Sequence, residues 1–361
     1  MLFGVTLMKY LKWLLLFIPV SITADAIHLS KSLVFLTVCL SIIPLAAVIG
    51  TATEQISLYT GSKVGGLISA TMSNVPELLI GFFAVKAGFY NIVLASMAGS
   101  MLGNILLVLG VSIFLGGLKR KYQSFDKTIA RSNFILLLFA ATSIIIPFAL
   151  KYAIRGSDRV NLNDGLTATS FSIAVILLIT YIAGLVFSLV THRNIFVRQE
   201  DREEQNEQPD WSLSKAIIVL LSAAFFVAVE SEMLVDTIEF VTKSYGLPEV
   251  FMGIILIPLL GNVAENVSAI LMAVKNKVDI CIEIAVGSSI QIALFVAPLL
   301  ILASFILGNP MIYVYDMFEV VAILAAIGLS LFIFQDGKTN WLEGVVLLGC
   351  YVLLGVAFFF I

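Results

Sequence analysis

The sequence predicts an all-α polytopic membrane protein of eleven transmembrane helices, a leading helix followed by two inverted five-helix repeats. Three observations lead to that fold class. The first is composition: of 361 residues, 60% are hydrophobic and only 12% are charged. Mean hydropathy is +1.05, far above the range of soluble domains. The second is a series of apolar runs, each close to the ~20 residues a helix needs to cross hydrocarbon. The third is an internal echo. An Asn and a Glu three residues apart, inside a stretch otherwise apolar enough to span, occur in each half, as Asn74/Glu77 and Asn262/Glu265.

The runs fall, in order, in residues 10–29, 32–53, 65–86, 90–116, 133–152, 166–190, 215–241, 248–274, 280–306, 311–334 and 340–361. Lys9 precedes the first run, further spans follow directly, and no clear small-residue cleavage site appears. That run therefore reads as a retained helix rather than a cleaved signal peptide. Cytoplasmic loops are enriched in Lys and Arg. With the N-terminus inside, only Lys31, Lys86, Lys151, Arg155, Arg159 and Lys243 of the 21 Lys and Arg fall outside. The Lys119-Arg120-Lys121 cluster, Arg193, Arg198, Arg202, Lys275 and Lys277 then all lie in the cytoplasm. The expected topology is N-terminus in, C-terminus out, in a cell membrane of bacterial type.

The leading helix occupies 1–31, the first repeat 32–192, an acidic linker 193–213 and the second repeat 214–361. Five spans per repeat is an odd number, which forces the two copies into opposite orientations, the inverted-repeat plan of many secondary transporters. Spacing supports a duplication. Ser100 follows Glu77 at the interval by which Ser288 follows Glu265, each behind a Gly, and Ala84-Val85-Lys86 echoes Ala273-Val274-Lys275 one position out of step.

The net charge of −3 gives no footprint for nucleic acid. Cys39, Cys281 and Cys350 lie within expected spans without metal-ligand spacing and read as packing residues. His28 and His192, isolated near helix ends, read as interfacial. No thiolate or imidazole cluster points to zinc or copper, and no cofactor is expected.

A glutamate at membrane depth costs ~2.5–3.5 kcal/mol on insertion scales and is tolerated mainly where it faces an ion path or a wet cavity. Two in equivalent positions suggest one shared cation site. The three-residue spacing puts each Asn on the same helical face as its Glu. Gly65-Gly66 and Gly261 permit close backbone approach, while Pro76 and Pro258 remove an amide donor and free carbonyls in or before the motif. Such a break is acceptable at membrane depth only where protein or water satisfies it. Carboxylates, amide oxygens, carbonyls and water form a hard oxygen cage suited to Ca²⁺, which takes 6–8 oxygen ligands, and able to accept Mn²⁺.

With these motifs the chain resembles the cation/proton exchanger (CAX) family of the Ca²⁺:cation antiporter superfamily, and in layout the bacterial Ca²⁺/H⁺ antiporters. The family's paired glycine-asparagine-x-x-glutamate motifs match Ser73-Asn74-Val75-Pro76-Glu77 and Gly261-Asn262-Val263-Ala264-Glu265. The resemblance implies that Glu77 and Glu265 carry Ca²⁺ and protons. Its glycine-serine motifs match Gly99-Ser100 and Gly287-Ser288-Ser289-Ile290-Gln291, implying that Ser100, Ser288 and Gln291 line the site. Glu54, placed at the end of the second helix, and Glu232 with Asp236 on the seventh, resemble the acids of the family's ion path. Three positions depart from the pattern: Ser73 replaces Gly, Pro76 a small aliphatic residue, and Asn266 the usual His, which removes a titratable imidazole beside Glu265.

The linker carries Glu200, Asp201, Glu203, Glu204 and Glu207. It reads either as a solvated connection or as an acidic segment that gathers divalent cations and regulates entry. The expected function is antiport of cytoplasmic Ca²⁺ against protons by alternating access, with Mn²⁺/H⁺ or Na⁺/Ca²⁺ exchange as alternatives on the same scaffold. Two ionised glutamates neutralise one divalent ion, and in low-dielectric surroundings the empty site favours the neutral acids, so Ca²⁺ and protons compete. A channel would need a continuous pore, and a hydrolase would need a nucleophile with a base or a metal, for which no arrangement is present. The expected partners are the ions and the lipid bilayer; the sequence carries no signal for or against a homo-oligomer.

Overall fold

The computed structural model describes residues 13–154, 161–191 and 209–361. They are almost wholly helical. We number the helices α1 (Phe17–Ala26), α2 (Lys31–Thr60), α3 (Val64–Met72), α4 (Val75–Ala87), α5 (Tyr90–Gly117), α6 (Lys127–Ile154) and α7 (Leu162–Thr191). After the linker come α8 (Leu213–Tyr245), α9 (Glu249–Gly261), α10 (Val263–Val274), α11 (Val278–Ile306), α12 (Met317–Ile333) and α13 (Trp341–Phe359). One antiparallel pair, β1 (Gln123–Ser124) with β2 (Lys338–Thr339), ties two loops together.

Among the described residues, seven helices are long and apolar enough to cross a membrane, or up to nine if the bent pairs α3–α4 and α9–α10 each count as one span. The shorter apolar helices α1 and α12 occupy the places of the first and tenth runs. The tenth run is helical only from Met317. Residues 307–316 form a loop because Gly308 turns the chain at φ +81°, Pro310 follows two residues later, and Asp316 caps α12. Helical backbone continues without a coil from α2 into α3, yet it folds back. Ser57 Oγ donates to the Gly65 carbonyl at 3.1 Å, although eight residues of straight helix would span ~12 Å. A Cβ on Gly65 would lie 2.9 Å from that of Ser57, so glycine permits the return.

The chain divides into two compact units. The first comprises the described residues through Phe83, Ile182–Gly246 and Leu260–Glu265; the second comprises Ala84–Tyr181, Leu247–Leu259 and Asn266–Ile361. The first is built on α2 packed against α8. Leu45, Ile49, Ala52 and Ile56 of α2 meet Ala216, Leu220, Ala223 and Val227 of α8, all buried. Both stripes advance by four, three and four residues, the spacing that keeps an apolar seam facing its partner in a left-handed pair. α1 packs on both helices.

In the second unit α5 is the most enclosed span, with 89% of its apolar stretch buried, whereas α13 is 17% buried. Small residues explain the depth of α5. A Cβ on Gly99 would collide with the backbone of Ile254 in α9, and one on Gly253 would lie 2.6 Å from Ala95. These positions let two backbones cross closely, as small residues do in membrane helices. Cys39, Cys281 and Cys350 are free thiols.

Candidate ion-binding site

Each Asn-x-x-Glu motif begins a helix at a break. The α3–α4 pair bends by 42° and the α9–α10 pair by 69°. Asn74 stands immediately before Val75, the first residue of α4, and Asn262 immediately before Val263, the first of α10. Asn therefore occupies the N-cap and Glu the third helical position, rather than both lying within one helix as the sequence spacing suggests. Pro76, second in α4, costs no hydrogen bond because the first amides of a helix have no intrahelical acceptor. Each glutamate lies in the first turn of its helix, whose amide end carries partial positive charge.

Asn at the N-cap with Glu three residues on is also the pattern of a capping box, in which the carboxylate returns to the cap backbone. The chain shows what that looks like at α13. Asn340 Nδ2 donates to Glu343 Oε1 at 2.9 Å and Asn340 N to Glu343 Oε2 at 3.2 Å, while Asn340 Oδ1 accepts from Leu342 N and Glu343 N. Glu77 behaves differently. It is 7% exposed, and neither carboxylate oxygen has a hydrogen-bond partner among the described residues. A buried carboxylate left this way is expensive unless a cation or proton joins it.

Gly261 stands directly against that carboxylate: a Cβ there would lie 2.8 Å from Glu77 Cδ. The absence of a side chain at Gly261 lets the second break approach the first motif's acid. Glu265 is half-buried and close enough to repel the Glu77 carboxylate electrostatically. Asn74 and Asn262 are buried, and the Asn74 amide nitrogen donates to Ser73 Oγ at 3.1 Å. Glu77, Glu265, Asn74 and Asn262 are thus all in the first unit. Among the described residues, no group of three or more His, Cys, Asp and Glu is arranged to hold a metal ion.

Ser100, Ser288, Gln291 and Asn266 belong to the second unit. Ser100 and Ser288 are buried, while Gln291 and Asn266 are half-buried. Both serines shortly precede π-helical segments, Gly103–Val108 in α5 and Ile292–Val296 in α11. Such wide turns disturb the regular carbonyl ladder and are frequent at functional sites. Asn104, one turn after Ser100, is 2% exposed, and its Nδ2 has no hydrogen-bond partner among the described residues. Sequence reading passed over it, although an amide at one-turn spacing from Ser100 was visible.

Glu54 lies well inside α2, which continues to Thr60, and not at its end; its side chain is exposed. Glu232 and Asp236 are exposed on α8, whereas Glu230, given less weight on sequence, is fully buried. The heptad stripe of α8 explains the difference. It runs 216, 220, 223, 227 and on to 230, so Glu230 falls in the seam and Glu232 off it. Glu200, Asp201, Glu203, Glu204 and Glu207 of the linker lie outside the described residues, as do Lys9, Arg155, Arg159, His192, Arg193, Arg198 and Arg202.

The site is thus built on two bent pairs of apolar helices, each with a glutamate in the first turn after the bend. The sodium/calcium exchanger protein family matches residues 31–190 and 215–360, and the chain belongs to that family. It is 42% identical to the Ca²⁺/H⁺ antiporter ChaA of Bacillus subtilis, over 95% of this chain and 96% of that one. It is 38% identical to vacuolar cation/proton exchanger 3 of Arabidopsis thaliana, over 96% of this chain and 78% of the relative. The solved structure of native YfkE superposes with a TM-score of 0.81 at 39% identity, covering 95% of this chain and 97% of that one. The H⁺/Ca²⁺ exchanger CAX shares the fold, with a TM-score of 0.73 at 16% identity and coverage of 98% and 93%.

Proposed function

We propose that the chain moves Ca²⁺ out of the cytoplasm in exchange for protons by alternating access, with Glu77 and Glu265 as the shared carriers. The observation that carries this reading is the buried Glu77 carboxylate, without a hydrogen-bond partner among the described residues, set against Gly261 with Glu265 nearby. Two carboxylates held this way repel each other until a divalent cation or protons neutralise them, so the two ligands exclude each other. The named activities of relatives about 40% identical over nearly the whole chain support the same pair of ions.

The proposed ligand set adds Asn74, Asn262, Ser100, Ser288 and Gln291, with Glu54, Glu232, Asp236 and Asn266 along the ion path. The proposed architecture is a leading helix (1–31) and two inverted five-span repeats (32–192 and 214–361), eleven spans in all, with the N-terminus in the cytoplasm of a cell membrane. The broken helix beginning each motif and the π-segment after each serine recur in both halves, which supports the duplication. Ca²⁺ uptake into proteoliposomes holding only this chain, driven by an imposed proton gradient, tests the function. Uptake should collapse with the gradient and not require Na⁺. Uptake driven by Na⁺ alone would select the sodium-coupled alternative, and preference for Mn²⁺ the manganese one.

A further inference from the structure

We propose that Glu230 is a second proton-binding site, separate from Glu77 and Glu265: a neutral carboxylic acid that fastens α1 to α2 and α8 and releases α1 when it ionises. Glu230 is 0% exposed and continues the buried seam of α8. Ser21 of α1 lies 2.6 Å from Glu230 Oε1, and Ser41 of α2 lies against the same carboxyl group. Glu230 Oε2 makes no hydrogen bond among the described residues.

Burial without a cation favours the neutral acid, and so does the count of protons. Ser21 Oγ is 2.8 Å from the Ile18 carbonyl and 2.6 Å from Glu230 Oε1. One hydroxyl has one proton, and a carbonyl oxygen and an ionised carboxylate are both acceptors only. With Glu230 ionised, that single proton is shared between two acceptors, which makes each contact weaker than a full hydrogen bond. With Glu230 protonated, its hydroxyl donates to Ser21 Oγ while Ser21 donates to Ile18, and both contacts are hydrogen bonds. Ser41 is placed likewise, 2.8 Å from the Val38 carbonyl. Among the described residues Glu230 has no cationic partner to hold an ionised form.

The surrounding groups do not supply one. On α1 the titratable residue is Asp25, one turn from Ser21 and exposed, with exposed His28 just beyond. On α2 they are exposed Lys31, buried Cys39, exposed Glu54 and exposed Tyr59, with Ser41 in an uncharged stretch from Ser32 to Thr53. On α8 itself Glu232 and Asp236 are exposed, off the seam. An ionised carboxylate here would be buried and unpaired, a state that proteins relieve by protonation or by opening to water. Opening means lifting α1, since Ser21 covers the carboxyl group.

Infrared spectroscopy of the full chain in lipid nanodiscs, combined with spin-label distances, tests the proposal. At about pH 7, where an ordinary glutamate is ionised, a carboxylic-acid carbonyl band should be lost in Glu230→Gln. In Ser21→Ala, which keeps the acid but removes its acceptor, the band should shift. Spin labels at Ile22 of α1 and Leu36 of α2, both exposed, with the three cysteines replaced, should report a distance that lengthens as alkaline pH removes the band. Glu230→Gln should hold the short distance at every pH, because an amide both donates and accepts. A spectrum unchanged by both substitutions would overturn the proposal, as would a distance that stays constant while the band disappears.

Discussion

Two helices of this chain begin with the same residues at the same positions and use them differently. At α13, Asn340 and Glu343 close a capping box, and both carboxylate oxygens are spent on the cap residue. At α4, Asn74 and Glu77 hold the same N-cap and third positions, yet the Glu77 carboxylate makes no hydrogen bond among the described residues and lies buried against Gly261. The residue pattern alone is therefore compatible with a structural cap and with an ion site. Surroundings decide: α13 starts directly after the short strand β2, whereas α4 starts at a bend between two apolar helices, where Gly261 stands against the acid.

The comparison can be broken most severely at the carboxylates. Glu77→Gln and Glu265→Gln should each reduce Ca²⁺ exchange in proteoliposomes to background while the protein still inserts, since an amide neither carries the charge nor releases a proton. Near-normal uptake by either variant would show that the two acids do not act together. Gly261→Ala is the next largest effect. The added methyl meets the flexible Glu77 side chain, so it should displace the carboxylate rather than unfold the chain. Overpacking of ~1–3 kcal/mol corresponds to a loss of Ca²⁺ affinity of about five-fold to somewhat over a hundred-fold, measurable by titration calorimetry. Unchanged affinity would mean that Glu77 has room to spare there.

A smaller effect is expected at Asn266. Restoring an imidazole with Asn266→His adds a group of unperturbed pKa ~6.5 next to Glu265, so the pH profile of uptake should shift while Ca²⁺ remains a substrate. An unaltered profile between about pH 5.5 and 8.5 would show that this position does not respond to protons here. Smallest of all, Glu343→Gln should leave exchange intact and lower stability by less than ~1 kcal/mol, as read by thermal unfolding, since a glutamine keeps one acceptor in the capping box and loses the other. Loss of transport in a well-folded Glu343→Gln protein would erase the distinction between the two motifs.

Much of this was legible in the sequence because membrane helices obey a crude rule. Residues that must sit in hydrocarbon are apolar for about twenty positions, so the runs found α2, α5, α7, α8, α11 and α13 with small errors at their ends. The paired motifs were legible because acids inside such runs are rare. Three features were not. The return of the chain between Ser57 and Gly65 leaves helical backbone unbroken, so no polar or coil-forming segment announces it. Glu230 and Glu232 are chemically identical two residues apart, and only the phase of the seam set by Leu45, Ile49, Ala223 and Val227 separates the buried one from the exposed one. The N-cap placement of Asn74 and Asn262 depends on where each helix bends, which side-chain spacing does not encode.

The central claim is that Ca²⁺ and protons compete for Glu77 and Glu265, and proton release on Ca²⁺ binding measures it directly. Adding Ca²⁺ to the purified chain in weakly buffered solution near neutral pH should release protons, and Glu77→Gln should abolish that release. Ca²⁺ that binds the wild-type chain without releasing protons would contradict the account.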